Sequence, residues 1–205
     1  MGYIIFLLFI FVSSAEARPV SYPDGWTLMS RNNWETSRLH LHYSPTVNYS
    51  LGAVAEDYRN SERRDFNLQL NNLLLRRNTS NSQANLYSMI ELGVATDDST
   101  EFNKALSFAG DWETRRYFTS YSASIQHAGA FDNGSFHQKG RVGIAPYLAN
   151  FGSIHTWLML QAEHHPEEDK EFRIAPVIRL FKNQFLFEIG LDSEKDFIFN
   201  FIYRH

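Results

Sequence analysis

Apolar and polar residues alternate with a period of two along nearly the whole chain from Trp26 onward, and helical spacing is nowhere sustained. Successive side chains of a strand point to opposite faces, so each run predicts a strand with one greasy and one polar face. Leu39, Leu41 and Tyr43 stand against His40 and His42, and Tyr49, Leu51, Ala53 and Ala55 against Ser50, Gly52 and Glu56. Phe66, Leu68 and Leu70 oppose Asn67, Gln69 and Asn71; the phase then slips at Asn71-Asn72, as the extra residue of a β-bulge would make it do. Leu86, Ile90, Leu92 and Val94 oppose Asn85, Tyr87, Glu91 and Gly93. Two strands are expected between Lys104 and Gln126, with a turn the pattern does not place. In the last third, Leu158 and Leu160 oppose Trp157, Gln161 and Glu163, then Phe185, Phe187 and Ile189 oppose Gln184, Glu188 and Gly190. The final strand sets Phe197, Phe199, Phe201 and Tyr203 against Asn200 and Arg204.

Polar or Pro- and Gly-containing breaks separate these runs at Ser44-Pro45-Thr46, Asn60 to Arg64, Arg76 to Ser82, Thr96 to Asn103, Ala128 to Gly134, His164 to Lys170 and Lys182-Asn183. The series predicts an all-β domain over 18–205, an antiparallel up-and-down closed β-barrel of about 10–12 strands, because closure removes exposed strand edges. A soluble β-sandwich shows the same alternation and is the alternative fold.

The first residues change the picture. Ile4 to Val12 is apolar, and Ala15-Glu16-Ala17 is a small-x-small cleavage site, which predicts a signal peptide over 1–17. Its core is too short to cross a bilayer, which takes about 20 residues. No later stretch approaches that length, so a membrane-embedded form has to be a closed barrel. Seventeen Phe and ten Tyr coexist with a mean hydropathy of −0.35, as outward apolar and inward polar positions together produce. Cysteine is absent, so disulfides do not staple the domain. A net charge of −4 and a pI near 6.0 exclude the basic footprint of a nucleic-acid binder.

Three constellations carry candidate chemistry. The polar faces hold charges of both signs, Glu56, Glu91, Glu163 and Glu188 with Arg141, Arg173, Arg179 and Arg204, which in a barrel would line the lumen and either pair or border a passage. His40 and His42, two apart on one strand, point to one side and could offer two nitrogens to a metal, with His164-His165, Glu163 and Glu167 adding ligands from a loop; a polar lumen face is the simpler account of the pair. His42-Tyr43-Ser44 followed by Glu56 is similar to the His-x-Ser pair and later Glu of lipid A deacylases, where Ser would attack an ester, His take its proton and Glu orient the imidazole. Pro45 stands here where that family carries Asn, and Ser44-Pro45 also reads as a turn. No cofactor motif is present.

Longer stretches carry a broader resemblance: Leu39-His40-Leu41-His42-Tyr43-Ser44-Pro45-Thr46, Arg115-Arg116-Tyr117-Phe118-Thr119-Ser120-Tyr121, Arg141-Val142-Gly143-Ile144-Ala145-Pro146-Tyr147 and His155-Thr156-Trp157-Leu158-Met159-Leu160-Gln161. Together they resemble a family of uncharacterised exported proteins of Gram-negative bacteria. That resemblance implies an envelope location and no established activity. The expectation is a non-enzymatic outer-membrane barrel, structural or a narrow conduit, whose partners are outer-membrane lipid, the barrel-assembly machinery, and a small solute or metal ion. The alternatives are a periplasmic β-sandwich or calycin-like binding protein, and a barrel-borne lipid hydrolase.

Overall fold

The computed structural model describes residues 18–97, 99–129, 134–150, 152–167 and 170–205; the expected signal peptide, residues 1–17, lies outside them. Twelve strands follow in order: β1 (Gly25–Asn32), β2 (Thr36–Ser44), β3 (Tyr49–Tyr58), β4 (Arg64–Asn78), β5 (Ser82–Thr96), β6 (Thr100–Thr114), β7 (Tyr117–Ala128), β8 (Ser135–Ile144), β9 (His155–His164), β10 (Phe172–Lys182), β11 (Phe185–Leu191) and β12 (Phe197–Arg204). Each pairs antiparallel with its sequence neighbours, and β1 pairs with β12 from Thr27↔Arg204 to Asn32↔Phe199, closing the sheet into an up-and-down barrel. The sandwich alternative is therefore overturned: one sheet closes on itself instead of two packing face to face.

The alternation places the greasy face outside. Leu68 is 73% exposed, Phe197 72% and Phe172 66%, the reverse of a sandwich, which would bury them. Outward residues join across strands into continuous rows, one running Trp26–Tyr43–Leu51–Leu70–Ile90–Leu106–Ile125. An exposed apolar surface of this extent requires lipid or detergent around it. Among the described residues no helix is long and apolar enough to cross a membrane.

Three details refine the sequence reading. The bulge lies two residues beyond the expected slip, with Leu73 opposite Tyr87 and Leu75 opposite Leu86, so that Leu74 is the extra residue. The turn between Lys104 and Gln126 falls at Arg115-Arg116. Thr96 to Asn103, expected as a loop, is mostly strand: β6 begins at Thr100, and Asn103 is fully buried, donating to Asp65 at 2.9 Å and Asn67 at 3.2 Å. Arg76 is likewise within β4 and donates to Asn85 at 2.8 Å. Asn103 and Arg76 are polar because their side chains face the barrel interior.

Arginine at Ile90, within the outward row, is expected to destabilise the lipid-inserted barrel by about 2–4 kcal/mol, whereas arginine at the inward Ser122 leaves insertion intact. Reversible unfolding in lipid vesicles measures both; equal losses would contradict this assignment of faces.

Candidate functional site

The two ends of the barrel are built differently. The chain ends and the β2–β3, β4–β5, β6–β7, β8–β9 and β10–β11 connections lie at one end, here the terminal end, and the remaining connections at the far end. Inside the terminal half, apolar side chains fill space. Phe118, Ala145, Trp157 and Met159 belong to one buried cluster that continues through Val177, Ala175 and Ile198 toward the far end, and Met29, Leu186 and Ile202 form another against Phe181. The segment ahead of β1 also enters this half. Arg18 is buried and ion-paired with Glu113 on β6 while donating to Gln83 on β5. Pro19 accepts from Ser50 Oγ on β3 at 2.6 Å, Val20 is 1% exposed, and the Ser21 amide donates to Ser44 Oγ on β2 at 2.9 Å. Residues 18–21 thus lie across the interior from β6 to β2.

Elsewhere the interior is polar, and its carboxylates are bonded to cationic or amide side chains. Glu188 on β11 accepts from Arg141 on β8 at 3.0 and 3.1 Å, from Arg179 on β10 at 2.6 Å and from Asn200 on β12 at 2.7 Å. Arg38 on β2 bridges Glu56 at 2.6 Å and Glu91 on β5. Asp65 on β4, wholly buried, accepts from Arg63, from Asn103 and, at 2.7 Å, from Gln126 on β7. Such groups must bond one another, because a buried charge without a partner costs several kcal/mol.

The wall formed by β6 and β7 is different. Its inward positions include Ala105, Ser107, Ala109, Ser120, Ser122 and Ser124, all small. They cannot reach the charged residues opposite, and the space left is a cavity of about 550 Å³ running along this wall between the far end and Pro19. Six cationic side chains (Arg31, Arg38, Arg63, Lys139, Arg141, Arg179) and six acidic ones (Glu35, Glu56, Glu91, Asp111, Glu163, Glu188) line it, so its formal charge balances.

Of the residues singled out in the sequence as lumen-lining, Glu56, Glu91, Glu163, Glu188, Arg141 and Arg179 border this cavity. Arg173 sits at the far mouth, donating to Asp192 at 2.7 Å and Asp196 at 3.0 Å, with its guanidinium 3.8 Å over the Trp34 ring. Arg204 lies at the terminal end on the inward row His42–Thr27–Arg204. The His42, Ser44 and Glu56 constellation does not assemble. Ser44 Oγ is engaged by the Ser21 amide, and Glu56 bonds Arg38 four positions along β3 from Gly52, the partner of His42. Four residues of strand put about 13 Å between them.

His40 and His42 do share the interior, with ring centroids 4.8 Å apart. They pack over Gly52, where a Cβ would lie 2.6 Å from His40 Nε2, so glycine is what admits the pair. His164 is on the outer face, stacked on Phe172 with centroids 4.2 Å apart and bonded to Gln138 at 2.7 Å; it cannot join them. Its neighbour His165 turns inward at the far mouth, where its ring stacks on that of His137, and burial holds its imidazole below the ordinary histidine range. Sequence reasoning missed His137 and the small-residue wall. Serine alternation on β7 was visible, but nothing local says that β6 is equally small beside it.

The fold and its exposed belt define a twelve-stranded transmembrane-type β-barrel with a polar interior. No family model matches the chain, and no curated protein matches it. Among solved structures it is similar to a KdgM porin, at a TM-score of 0.53 and 8% identity over 88% of this chain and 98% of that one. A second structure of a KdgM porin, in complex with disordered oligogalacturonate, matches at a TM-score of 0.52 and 9% identity over the same shares. At this identity the likeness is one of fold.

The Glu188 network makes a sharp stability prediction. Glu188→Ala leaves Arg141 and Arg179 facing each other without their carboxylate and should cost about 3–5 kcal/mol. Arg64→Gln, which breaks the exposed Arg64–Asp57 pair, should change nothing measurable. Urea unfolding of the detergent-solubilised protein distinguishes the two.

Proposed function

We propose that the protein is an outer-membrane channel for small polar solutes or ions. The observation that carries the reading is the asymmetric interior: small side chains on β6 and β7 face a charge-paired wall and leave a polar cavity between them. An interior selected only for stability would fill that space, as apolar clusters do in the terminal half. The outward apolar belt supports a membrane setting, and the fold shared with KdgM porins supports transport. Charge balance along the cavity suits solutes of either sign or none, small enough to pass a narrow conduit. Residues 18–21, held by Arg18–Glu113 and Ser21–Ser44, narrow the terminal mouth, so passage requires this segment to shift.

Planar-bilayer conductance tests the reading. The protein should give small, discrete current steps, and deleting residues 18–21 should raise them by roughly twofold or more. Tryptophan at Ser122 should abolish most of the current while the unboiled protein keeps its heat-dependent shift on a mild SDS gel. A properly inserted barrel that passes no current, with or without residues 18–21, would reject the channel.

A further inference from the structure

One cluster at the far mouth brings together three side chains of metal-ligating type. His137 on β8, Glu163 on β9 and His165 just beyond β9 each place a ligand atom within 4.8 Å of the other two. Register brings them together: Lys139 pairs with Glu163 and Gln138 with His164, so the next step sets His137 against His165. Spacing of two along the chain then turns Glu163 and His165 to the same inward face. The imidazole centroids are 4.1 Å apart with planes 27° from parallel, and both Nε2 atoms are buried without a hydrogen-bond partner. On its other side, His165 Nδ1 lies 3.8 Å from the Glu35 carboxylate, and the Trp34 ring packs edge-on at 5.4 Å. At 3.8 Å, Glu35 and His165 face each other as a charge contact rather than a hydrogen bond.

We propose that His137, Glu163 and His165 bind one divalent transition-metal ion of the zinc type, leaving a coordination position open to the cavity. Two imidazoles and one carboxylate suit borderline ions such as zinc, cobalt, nickel or copper, whereas magnesium and calcium prefer oxygen alone. Bonds of about 2.0–2.1 Å put tetrahedral ligands roughly 3.3 Å apart, so side-chain rotation has to draw the three groups together. The Lys139 ammonium, 3.6 Å from Glu163, is the cation that now occupies the carboxylate and that the metal displaces. Glu163 also accepts from Gln161 at 3.0 Å, which steadies it. His40 and His42 lack a carboxylate partner of this kind: among the described residues, this is the cluster in which three candidate ligands converge.

Cobalt and zinc titration of the tag-free protein in detergent tests the site independently of any transport. Visible absorption should show one equivalent of four- or five-coordinate cobalt, displaced by zinc. His137→Ala, His165→Ala and Glu163→Gln should each weaken binding by about tenfold or more, while a His40→Ala/His42→Ala double variant binds as before. Lys139→Gln, which removes the competing cation, should tighten binding, a gain that misfolding does not mimic. Absence of binding by the intact protein, or undiminished binding by a heat-shifting His137→Ala protein, would overturn the proposal.

Discussion

In a bilayer no water is available to the backbone, so every N–H and C=O within it must find a partner in the protein. For a chain that crosses with strands, this leaves closure as the solution, and the β1–β12 seam is where closure is made. The seam runs from Asn32↔Phe199 to Thr27↔Arg204, and Trp26 and His205 then exchange backbone bonds at 2.9 and 2.8 Å. Sides are set by the same requirement. Once the ring is closed, one parity of each strand meets lipid and the other is enclosed, so the aromatic alternation of β12 becomes part of the outer belt and Asn200 becomes a ligand of Glu188.

Enclosure creates a second problem, since twelve strands surround more volume than one layer of side chains fills. Two solutions coexist. In the terminal half, aromatic and aliphatic residues and the chain's own residues 18–21 occupy the space. Toward the far end, long charged side chains reach across and neutralise one another, which low dielectric enforces. Small residues on β6 and β7 lie beyond their reach. The cavity is thus a consequence of where bulk is missing, and its charge balance follows from the need of each buried carboxylate for a guanidinium or ammonium partner.

Much of this was legible in the sequence because period-two alternation is a local property. The face assignment, the antiparallel meander and the inward polar positions of Glu56, Glu91, Glu188, Arg141 and Arg179 follow from neighbours along the chain. The misread stretch, Thr96 to Asn103, shows the limit of that logic: in a barrel with a polar lumen, polarity marks an inward face as readily as a loop. His40 and His42 were correctly placed on one face, yet the glycine that makes room for them lies on another strand. Local spacing likewise set His42, Ser44 and Glu56 in a suggestive order that the β2–β3 register pulls apart.

By itself, then, the sequence determined that this chain forms antiparallel strands with a greasy and a polar side, and that a membrane-embedded form must be a closed barrel. Tertiary structure decided which side chains meet. Register across β8 and β9 brings His137 to His165 and Lys139 to Glu163, ring closure brings Glu188 within reach of Arg141, and the entry of residues 18–21 sets where the interior is filled. Periodicity is written in adjacent residues, but contacts across a barrel depend on long-range pairing offsets and on side-chain sizes summed over several strands.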